Sequence, residues 1–383
     1  MPATLTTTPE PTRPRYAMLD TLRGALLVLM ALNHITSDFR WLTQQPFGYA
    51  TAAEGFIFLA GLVVGLVYSR RWLKSGPLPT SRLLLKRCAV IYGAHLASIA
   101  GISLWMLFYS RTTGSLPVGS PWPWFHQPLE TYTATLFLLH QPGLLDVLPT
   151  YCGLLLISPI ILWAFSKNRM GLVLGISAVI WAITNLIDPP KPTILDLFGV
   201  HGLINTGAFN FGAWQFLYTI GLALGHRWSK NSLPSWHLHP VYVWGALVCV
   251  VILSALSHEW IHHDISEQSW WLLTNKNNLA PVRLFNVLLL VILIHAWARA
   301  SRREIQWAPL SLLGRHSLAV FSVHCVVAII ILGMPRFFAD TSTGRILGPL
   351  VMLTAMFTTA MISEARKQGW FVSDGLSAKR ISS

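Results

Sequence analysis

Residues 19–38 read LDTLRGALLVLMALNHITSD, and residues 52–61 read AAEGFIFLAG. Both stretches are mostly apolar, yet the first includes Arg23 and His34, and the second includes Glu54. An ionisable group inside a membrane span costs about 2.5–3.5 kcal/mol on insertion scales, so each of these side chains needs a structural or functional reason. The two stretches therefore predict a membrane-embedded fold with a polar site inside it.

The composition of the whole chain is that of a membrane protein. Of its 383 residues, 53% are hydrophobic and 11% are charged. Soluble domains carry about 25% charged residues, and disordered chains combine low hydrophobicity with high charge. The composition therefore excludes a soluble globular enzyme and a disordered chain, and the 17 tryptophans suit a membrane–water interface.

Ten apolar stretches are long enough to form membrane-spanning helices of about 20 residues. They are residues 19–37, 52–69, 83–109, 149–166, 171–187, 211–227, 240–257, 280–298, 309–333 and 346–363. A weaker stretch, 129–148, is broken by Pro142 and Gly143, and we interpret it as re-entrant or interfacial. We predict an all-α polytopic membrane protein with about ten transmembrane helices in one bundle.

The basic residues are distributed unevenly between the two sides of this bundle. Three quarters of the 28 lysines and arginines lie on the side that carries both termini. The positive-inside rule then predicts cytoplasmic termini, with a tail at 1–17, a transmembrane domain at 18–365 and a second tail at 366–383. The net charge of +13 is therefore explained by topology and by contact with anionic lipid, and we predict no nucleic-acid partner.

His34 and Glu54 are expected at the same depth, because they flank a short loop between antiparallel neighbouring helices. A carboxylate beside an imidazole raises its basicity and fixes its tautomer. We therefore predict that His34 is a general base and that Glu54 orients it; a plain interfacial ion pair is the alternative. Arg23 precedes His34 by eleven residues, which places it on nearly the same helix face, about 16 Å away along the axis.

Two further sets of polar residues are candidate binding sites. A basic cytoplasmic entrance with a histidine deeper inside suits an anionic cofactor, although the same charges also serve as topology signals. This set comprises Arg23, Lys86, Arg87, His95, His316 and Ser317. On the other side of the membrane, amides and flat aromatic faces suit a sugar, although interfacial tryptophan is also an ordinary membrane anchor. That set comprises Asp38, Asn210, Trp214, Gln215, Lys276 and Arg283.

The run His258-Glu259-Trp260-Ile261-His262 matches H-E-x-x-H, in which two histidines on one helix face bind zinc. It lies in a polar loop where a regular helix is not assured, and no distant third ligand stands out. With 14 histidines in the chain, a chance match is favoured. We therefore predict an interfacial loop and no metal site.

Residues 19–35 and the segment FGYATAAEGFIFLAGLVVGLVY at 47–68 resemble the OpgC proteins, which are membrane succinyltransferases of osmoregulated periplasmic glucans within the acyltransferase-3 superfamily. The likeness covers most of residues 18–330. It continues through KRCAVIYGAHL, QPGLLDVLPTY, FNFGAWQFLYTIGLALG, NLAPVRLFNVLLL and PLSLLGRHSLAVF.

The resemblance implies that His34 is the catalytic histidine and that Arg23 binds acyl-CoA or supports the site. It also implies that Glu54 is the acidic residue of the family's A-A-E segment. Two features depart from the OpgC pattern. Ala60-Gly61 stands where Ser-Gly is usual, and His324 is more similar to the general acyltransferase-3 pattern.

The implied function is acyl-CoA-dependent O-acyl transfer in the bacterial inner (cytoplasmic) membrane. A succinyl group would pass from cytoplasmic succinyl-CoA to hydroxyls of a periplasmic glucan, so the expected partners are acyl-CoA, the glycan acceptor and membrane lipid. One alternative is a same-fold acyltransferase that modifies another surface polysaccharide or lipopolysaccharide. Another is a membrane transporter, which would usually show repeat symmetry.

Overall fold

The computed structural model describes residues 17–119, 124, 126–187, 207–230, 239–301 and 306–368. Within these ranges the regular structure is helical and contains no strand, which confirms the predicted all-α class. Nearly all of the two predicted tails, at 1–17 and 366–383, lies outside the described residues. The last helix continues as far as Lys367, beyond the predicted domain boundary at 365.

Fifteen helices are described. They are α1 (Ala17–Asn33), α2 (Arg40–Thr43), α3 (Ala52–Ser75), α4 (Pro77–Thr113), α5 (Pro128–Leu136), α6 (Val147–Ser166), α7 (Met170–Ile187), α8 (Phe211–Lys230), α9 (Pro240–Ser257), α10 (Glu267–Thr274), α11 (Pro281–Ala300), α12 (Ala308–Arg315), α13 (Ser317–Leu332), α14 (Pro335–Phe338) and α15 (Ser342–Lys367).

Helices occupy all ten positions predicted for membrane spans, but fewer than ten qualify as spans by themselves. Among the described residues, seven helices are long and apolar enough: α3, α4, α6, α7, α9, α11 and α15. The pair α12 and α13, bent by 89°, makes an eighth if it is one broken span. The predicted count of ten is therefore not confirmed. Helix α1 has only 17 residues, and Gln215, His226 and Arg227 make α8 more polar.

The outer helices expose large apolar side chains. Leu104 and Phe108 on α4, Ile160 on α6, Leu186 on α7 and Trp244 on α9 are each at least 65% exposed. Soluble proteins rarely expose contiguous apolar surface on this scale, whereas lipid tails are as apolar as leucine. With several apolar helices of sufficient length, this surface is that of a multi-pass membrane protein.

The most extensive helix pair is α3 with α8, which run parallel and touch through their backbones. A Cβ atom added at Gly61 would lie 2.2 Å from the carbonyl oxygen of Tyr218, and one at Gly65 would lie 2.1 Å from that of Leu222. Gly221 contacts α3 in the same way. Small residues spaced by four allow helix backbones to approach closely in a membrane, and this packing makes α3 and α8 the centre of the bundle.

A second close contact joins α1 to α12. A Cβ atom at Gly24 would lie 1.9 Å from the carbonyl oxygen of Leu310, and one at Gly314 would lie 1.8 Å from that of Asp20. The chain then bends at His316, and α13 leaves at 89° to α12. Because α12 is held on α1, this bend directs α13 toward the C-terminal end of α1.

The weaker apolar stretch at 129–148 is not a continuous helix. Helix α5 ends at Leu136, and α6 begins at Val147 after a segment in which Leu138 and Leu144 have positive φ. This interruption agrees with the break predicted from Pro142 and Gly143. Whether the segment enters the membrane stays a prediction.

We expect Gly61→Ala to destabilise the protein by about 1–3 kcal/mol, because the new methyl group would overlap the Tyr218 carbonyl and force α3 away from α8. Thermal unfolding in detergent measures the effect. The matched control is Gly93→Ala on α4, where an added Cβ meets no atom within 4 Å and helix propensity favours alanine. Equal melting temperatures for the two variants would contradict the close-packing interpretation.

Candidate active site

His34 lies directly after the last residue of α1, where it meets His324 of α13. The His34 Nδ1 and His324 Nε2 atoms are 3.0 Å apart, and the two rings stack at 21° with centroids 5.2 Å apart. His324 is completely buried, whereas His34 is only half-buried. Within the described part of the chain, His34 Nε2 makes no hydrogen bond, so this nitrogen is free to receive a proton.

Glu54 does not contact His34, contrary to the predicted pairing. Its Oε1 atom lies 3.1 Å from Nη1 of Arg283, and its Oε2 atom accepts hydrogen bonds from the backbone and side chain of Thr51 in a capping box at the start of α3. Both partners of the ion pair are buried, with Glu54 at 0% exposure. The prediction was wrong about the partner because a buried carboxylate is stabilised more by a guanidinium and N–H donors than by an imidazole.

Arg283 likewise has protein partners at its guanidinium. Besides Glu54, its guanidinium donates to the backbone carbonyls of Tyr49 and Thr274. One turn later on α11, Asn286 accepts a hydrogen bond from the backbone N–H of Ala50 at 2.8 Å. These contacts fasten the loop before α3 to α11. Substrate contact by Arg283 stays a prediction, and the observed contacts are structural.

Lys276 lies on a loop that α7 and α8 hold in place. Trp214 is fully buried, and its Nε1 atom donates to the carbonyl of Asn277 at 3.0 Å. The Asn210 side chain donates to Asn278 at 3.1 Å, and Trp181 Nε1 donates to the Leu279 carbonyl at 2.9 Å. The ring of Trp214 is thus covered by protein, and its indole N–H anchors this loop.

Two other predicted acceptor contacts also have protein partners. Gln215 is buried and bonds to the side chain and backbone of Ser177 on α7. Asp38, four residues after His34, is exposed and pairs with Arg345 of α15 at 2.8 Å. Two members of the predicted acceptor set are related to the proposed base. Asp38 is near His34 in the sequence, and the charge of Lys276 acts on His34.

The charge of Lys276 relates His34 to a further acidic residue, Asp146, which is not among the site residues predicted from the sequence. Its charge acts on both His34 and Asp146, and its Nζ atom lies 5.7 Å above the ring of Phe209. Asp146 immediately precedes α6 and accepts a hydrogen bond from the Ala208 N–H at 2.8 Å. Burial raises the pKa of Asp146, and the Ala208 N–H and Lys276 oppose this shift. Lys276 is thus within electrostatic reach of both His34 and Asp146.

Arg23 and Arg87 come together near the N-terminal end of α1, and their role in cofactor binding stays a prediction. Their charges interact with one another and with the hydroxyl of Tyr151, while Asp20 lies 3.9 Å from Arg23. Lys86 is exposed beside Arg87. A purely structural ion pair of Arg23 with Asp20 would show the same contact, so the cluster is compatible with a structural role and with a cofactor site.

The other predicted cofactor residues are in different surroundings. His95 is buried on α4, and neither of its ring nitrogens has a hydrogen-bond partner among the described residues. His316 Nε2 lies 2.5 Å from Glu364 of α15, which also pairs with Arg315 at 3.3 Å. Ser317 is the half-buried first residue of α13. His316 therefore fastens the bend to α15, and its role in cofactor binding stays a prediction.

The H-E-x-x-H segment is not helical. Helix α9 ends at Ser257, and Glu259 has φ of +59°, so His258 and His262 do not share a helix face. Among the described residues, no group of three or more histidine, cysteine, aspartate or glutamate side chains has the arrangement of a metal site. The loop interpretation of this segment is thus supported.

The site residues predicted from the sequence included neither His324 nor Asp146, although His324 was noted for its similarity to the general acyltransferase-3 pattern. A signal existed for each: His324 is an imidazole within an apolar stretch, and Asp146 is an acid at the start of another. Their positions were not predictable from spacing, because α13 and α6 are distant from α1 in the sequence. Only the tertiary fold brings them together.

We expect Glu54→Ala and Arg283→Met each to lower the free energy of unfolding by about 3–5 kcal/mol, because each leaves an uncompensated buried charge. The double variant should lose clearly less than the sum of the two, since it removes both charges. Unfolding in detergent measures the cycle, with exposed Glu267→Ala on α10 as control. Additive effects would show that the pair is not coupled.

Comparison with family models matches residues 15–368 to the family described as OpgC protein. No curated protein and no solved structure gives a significant match. The family match spans nearly the whole chain, including both histidines and the ion pair between α3 and α11. The chain therefore belongs to the OpgC family and is a multi-pass membrane protein.

Proposed function

We propose that the protein is an inner-membrane O-acyltransferase that moves a succinyl group from cytoplasmic succinyl-CoA to a hydroxyl of a periplasmic glucan. Membership of the OpgC family implies a membrane acyltransferase for glucans. The observation that carries the mechanism is the His34–His324 contact, because it leaves Nε2 of His34 available as a base at the end of α1. The identity of the acyl donor, the identity of the glycan acceptor and the inner-membrane location all belong to this proposal.

The reaction needs one group that takes a proton and later returns it. As the sugar hydroxyl oxygen attacks the thioester carbonyl, Nε2 of His34 accepts the hydroxyl proton. The tetrahedral intermediate then collapses, the C–S bond breaks, and His34 returns the proton to the sulfur of CoA. The products are the sugar ester and free CoA, and His34 is regenerated without a metal or redox step.

Arg23, Arg87 and Lys86 are the proposed contacts of the CoA phosphates. Arg23 and His34 are eleven residues apart on one helical stretch, which corresponds to about 16 Å. An extended donor can therefore have its phosphates at one end of α1 and its thioester near the other. Arginine and lysine side chains bind phosphate oxygens through charge-assisted hydrogen bonds.

Lys276 supports a dicarboxylic acyl group as the donor. Among the described residues, Lys276 is the cation whose charge acts on His34. A succinyl group carries a free carboxylate close to its reacting carbonyl, and an ammonium group whose charge reaches the base can bind that carboxylate. The loop contacts of Asn210, Trp214 and Trp181 hold Lys276 in place for this purpose.

We expect His34→Ala to lower kcat for succinyl transfer by at least about 100-fold, because the reaction loses its base. The assay uses purified protein in lipid nanodiscs with labelled succinyl-CoA and isolated glucan. His262→Ala, which removes an exposed loop histidine, is the matched control and should retain full activity. A fully active His34→Ala protein would refute the assignment. Failure of the unsubstituted protein to bind any acyl-CoA would instead favour a transporter.

We expect Lys276→Met to reduce the ratio of kcat/KM for succinyl-CoA to kcat/KM for acetyl-CoA by about 10–100-fold. A hydrogen bond to a charged group contributes about 1.5–3 kcal/mol, and acetyl lacks the carboxylate that Lys276 would bind. Lys276→Arg keeps the positive charge and should preserve most of the ratio. An unchanged ratio in Lys276→Met would remove the argument for a succinyl donor.

A further inference from the structure

His324 has no role in the proposed reaction so far, yet it is the group that contacts the proposed base. It lies at 0% exposure inside the bundle, with its Nε2 atom 3.0 Å from Nδ1 of His34. The Phe321 ring packs edge-on against the His324 ring, with the ring centroids 4.9 Å apart, and the rings of the two histidines stack. A polar side chain buried this completely is held in one orientation by its contacts.

The tautomer of His324 follows from the role proposed for His34. Nδ1 of His324 is buried and makes no hydrogen bond with the described residues, so this ring acts on His34 through Nε2. Because His34 can take a proton at Nε2 only when its own Nδ1 carries one, the proposed reaction requires the proton of His324 on Nδ1 and its lone pair on Nε2. The Sγ atom of Cys325 also lies 3.8 Å from Nε2 of His324, but its single S–H donates to the Leu144 carbonyl at the shorter distance of 3.3 Å.

A neutral imidazole has one donor and one acceptor nitrogen. With the proton on Nδ1, Nε2 of His324 accepts, and Nδ1 of His34 must donate to it. His34 is then held in the tautomer whose lone pair is on Nε2, the nitrogen that makes no hydrogen bond within the described part of the chain. This is the tautomer that removing a proton from a hydroxyl requires.

We propose that His324 is a positioning residue that fixes the tautomer and ring orientation of His34 by accepting its Nδ1–H. This inference rests on the proposed function. During the reaction the proton moves from the hydroxyl to Nε2 of His34 and then to sulfur, and His324 neither gains nor loses one. When His34 becomes an imidazolium, its Nδ1–H remains bonded to His324, which stabilises the charge near the transition state.

This arrangement replaces the carboxylate of an acid–histidine pair with a second, neutral imidazole. Glu54 is bound to Arg283, so no carboxylate contacts His34 among the described residues. A neutral acceptor fixes the tautomer without a further buried charge, which would need its own partner. His324 thus meets the geometric requirement of the orienting group without the electrostatic cost.

The test compares two substitutions of His324 in the full-length protein in nanodiscs. Glutamine keeps an acceptor oxygen, whereas leucine keeps bulk and removes the acceptor. We expect His324→Leu to lower kcat by at least about 100-fold with KM for succinyl-CoA changed less than about threefold, and His324→Gln to recover at least about tenfold of that loss. The split arises because His324 touches His34 and not the donor.

His226→Leu on α8 is the control for a merely structural loss. It removes another buried histidine, whose Nδ1 atom lies 2.9 Å from Ser69 Oγ. It should lower the melting temperature while the folded protein keeps its kcat.

Normal kcat in folded His324→Leu, with His34→Ala inactive, would overturn the positioning role and leave the proposed function intact. Equal loss in the glutamine and leucine variants would also overturn the acceptor role. An active His34→Ala protein would remove both proposals together.

Discussion

The contact between His34 and His324 depends on helix backbones that touch. Gly24 and Gly314 bring α1 and α12 so close that an added methyl group at either position would overlap a carbonyl oxygen. The 89° bend at His316 then directs α13 back to the end of α1, where His324 meets His34. Gly61 and Gly221 fasten α3 to α8 in the same manner. In a membrane, where apolar side chains gain little by leaving lipid, such close packing sets the geometry.

Buried charges in this fold are separated from the proposed proton-transfer chemistry. The guanidinium of Arg283 and the carboxylate of Glu54 neutralise each other, and backbone groups satisfy their remaining hydrogen bonds. An unpaired buried charge would destabilise the fold by several kcal/mol. The proposed base, His34, is left with the imidazole of His324 as its partner, and its Nε2 atom makes no hydrogen bond with the described residues. The ion pair thus supports the loop and helix beside the site.

Aromatic and amide side chains of α7 and the start of α8 hold in place the loop that carries Lys276. The side-chain N–H groups of Trp214, Trp181 and Asn210 donate hydrogen bonds to the loop at 277–279. A long, flexible lysine side chain loses entropy when it binds a ligand, and a rigid loop lowers the part of that cost that comes from the backbone. These side chains therefore hold in place the loop that carries Lys276.

The sequence by itself determined the all-α class, the membrane environment, the helix positions and the family, because apolar length and local motifs are encoded over short ranges. It also identified His34, Glu54 and Lys276 as unusual, since charge in an apolar stretch is visible without a structure. Which of these groups touch was decided only by the tertiary structure. Glu54 pairs with Arg283 on a helix more than two hundred residues away in the sequence, and His34 contacts His324. Such pairs depend on backbone contacts at glycines and on one helix bend, which no local pattern specifies.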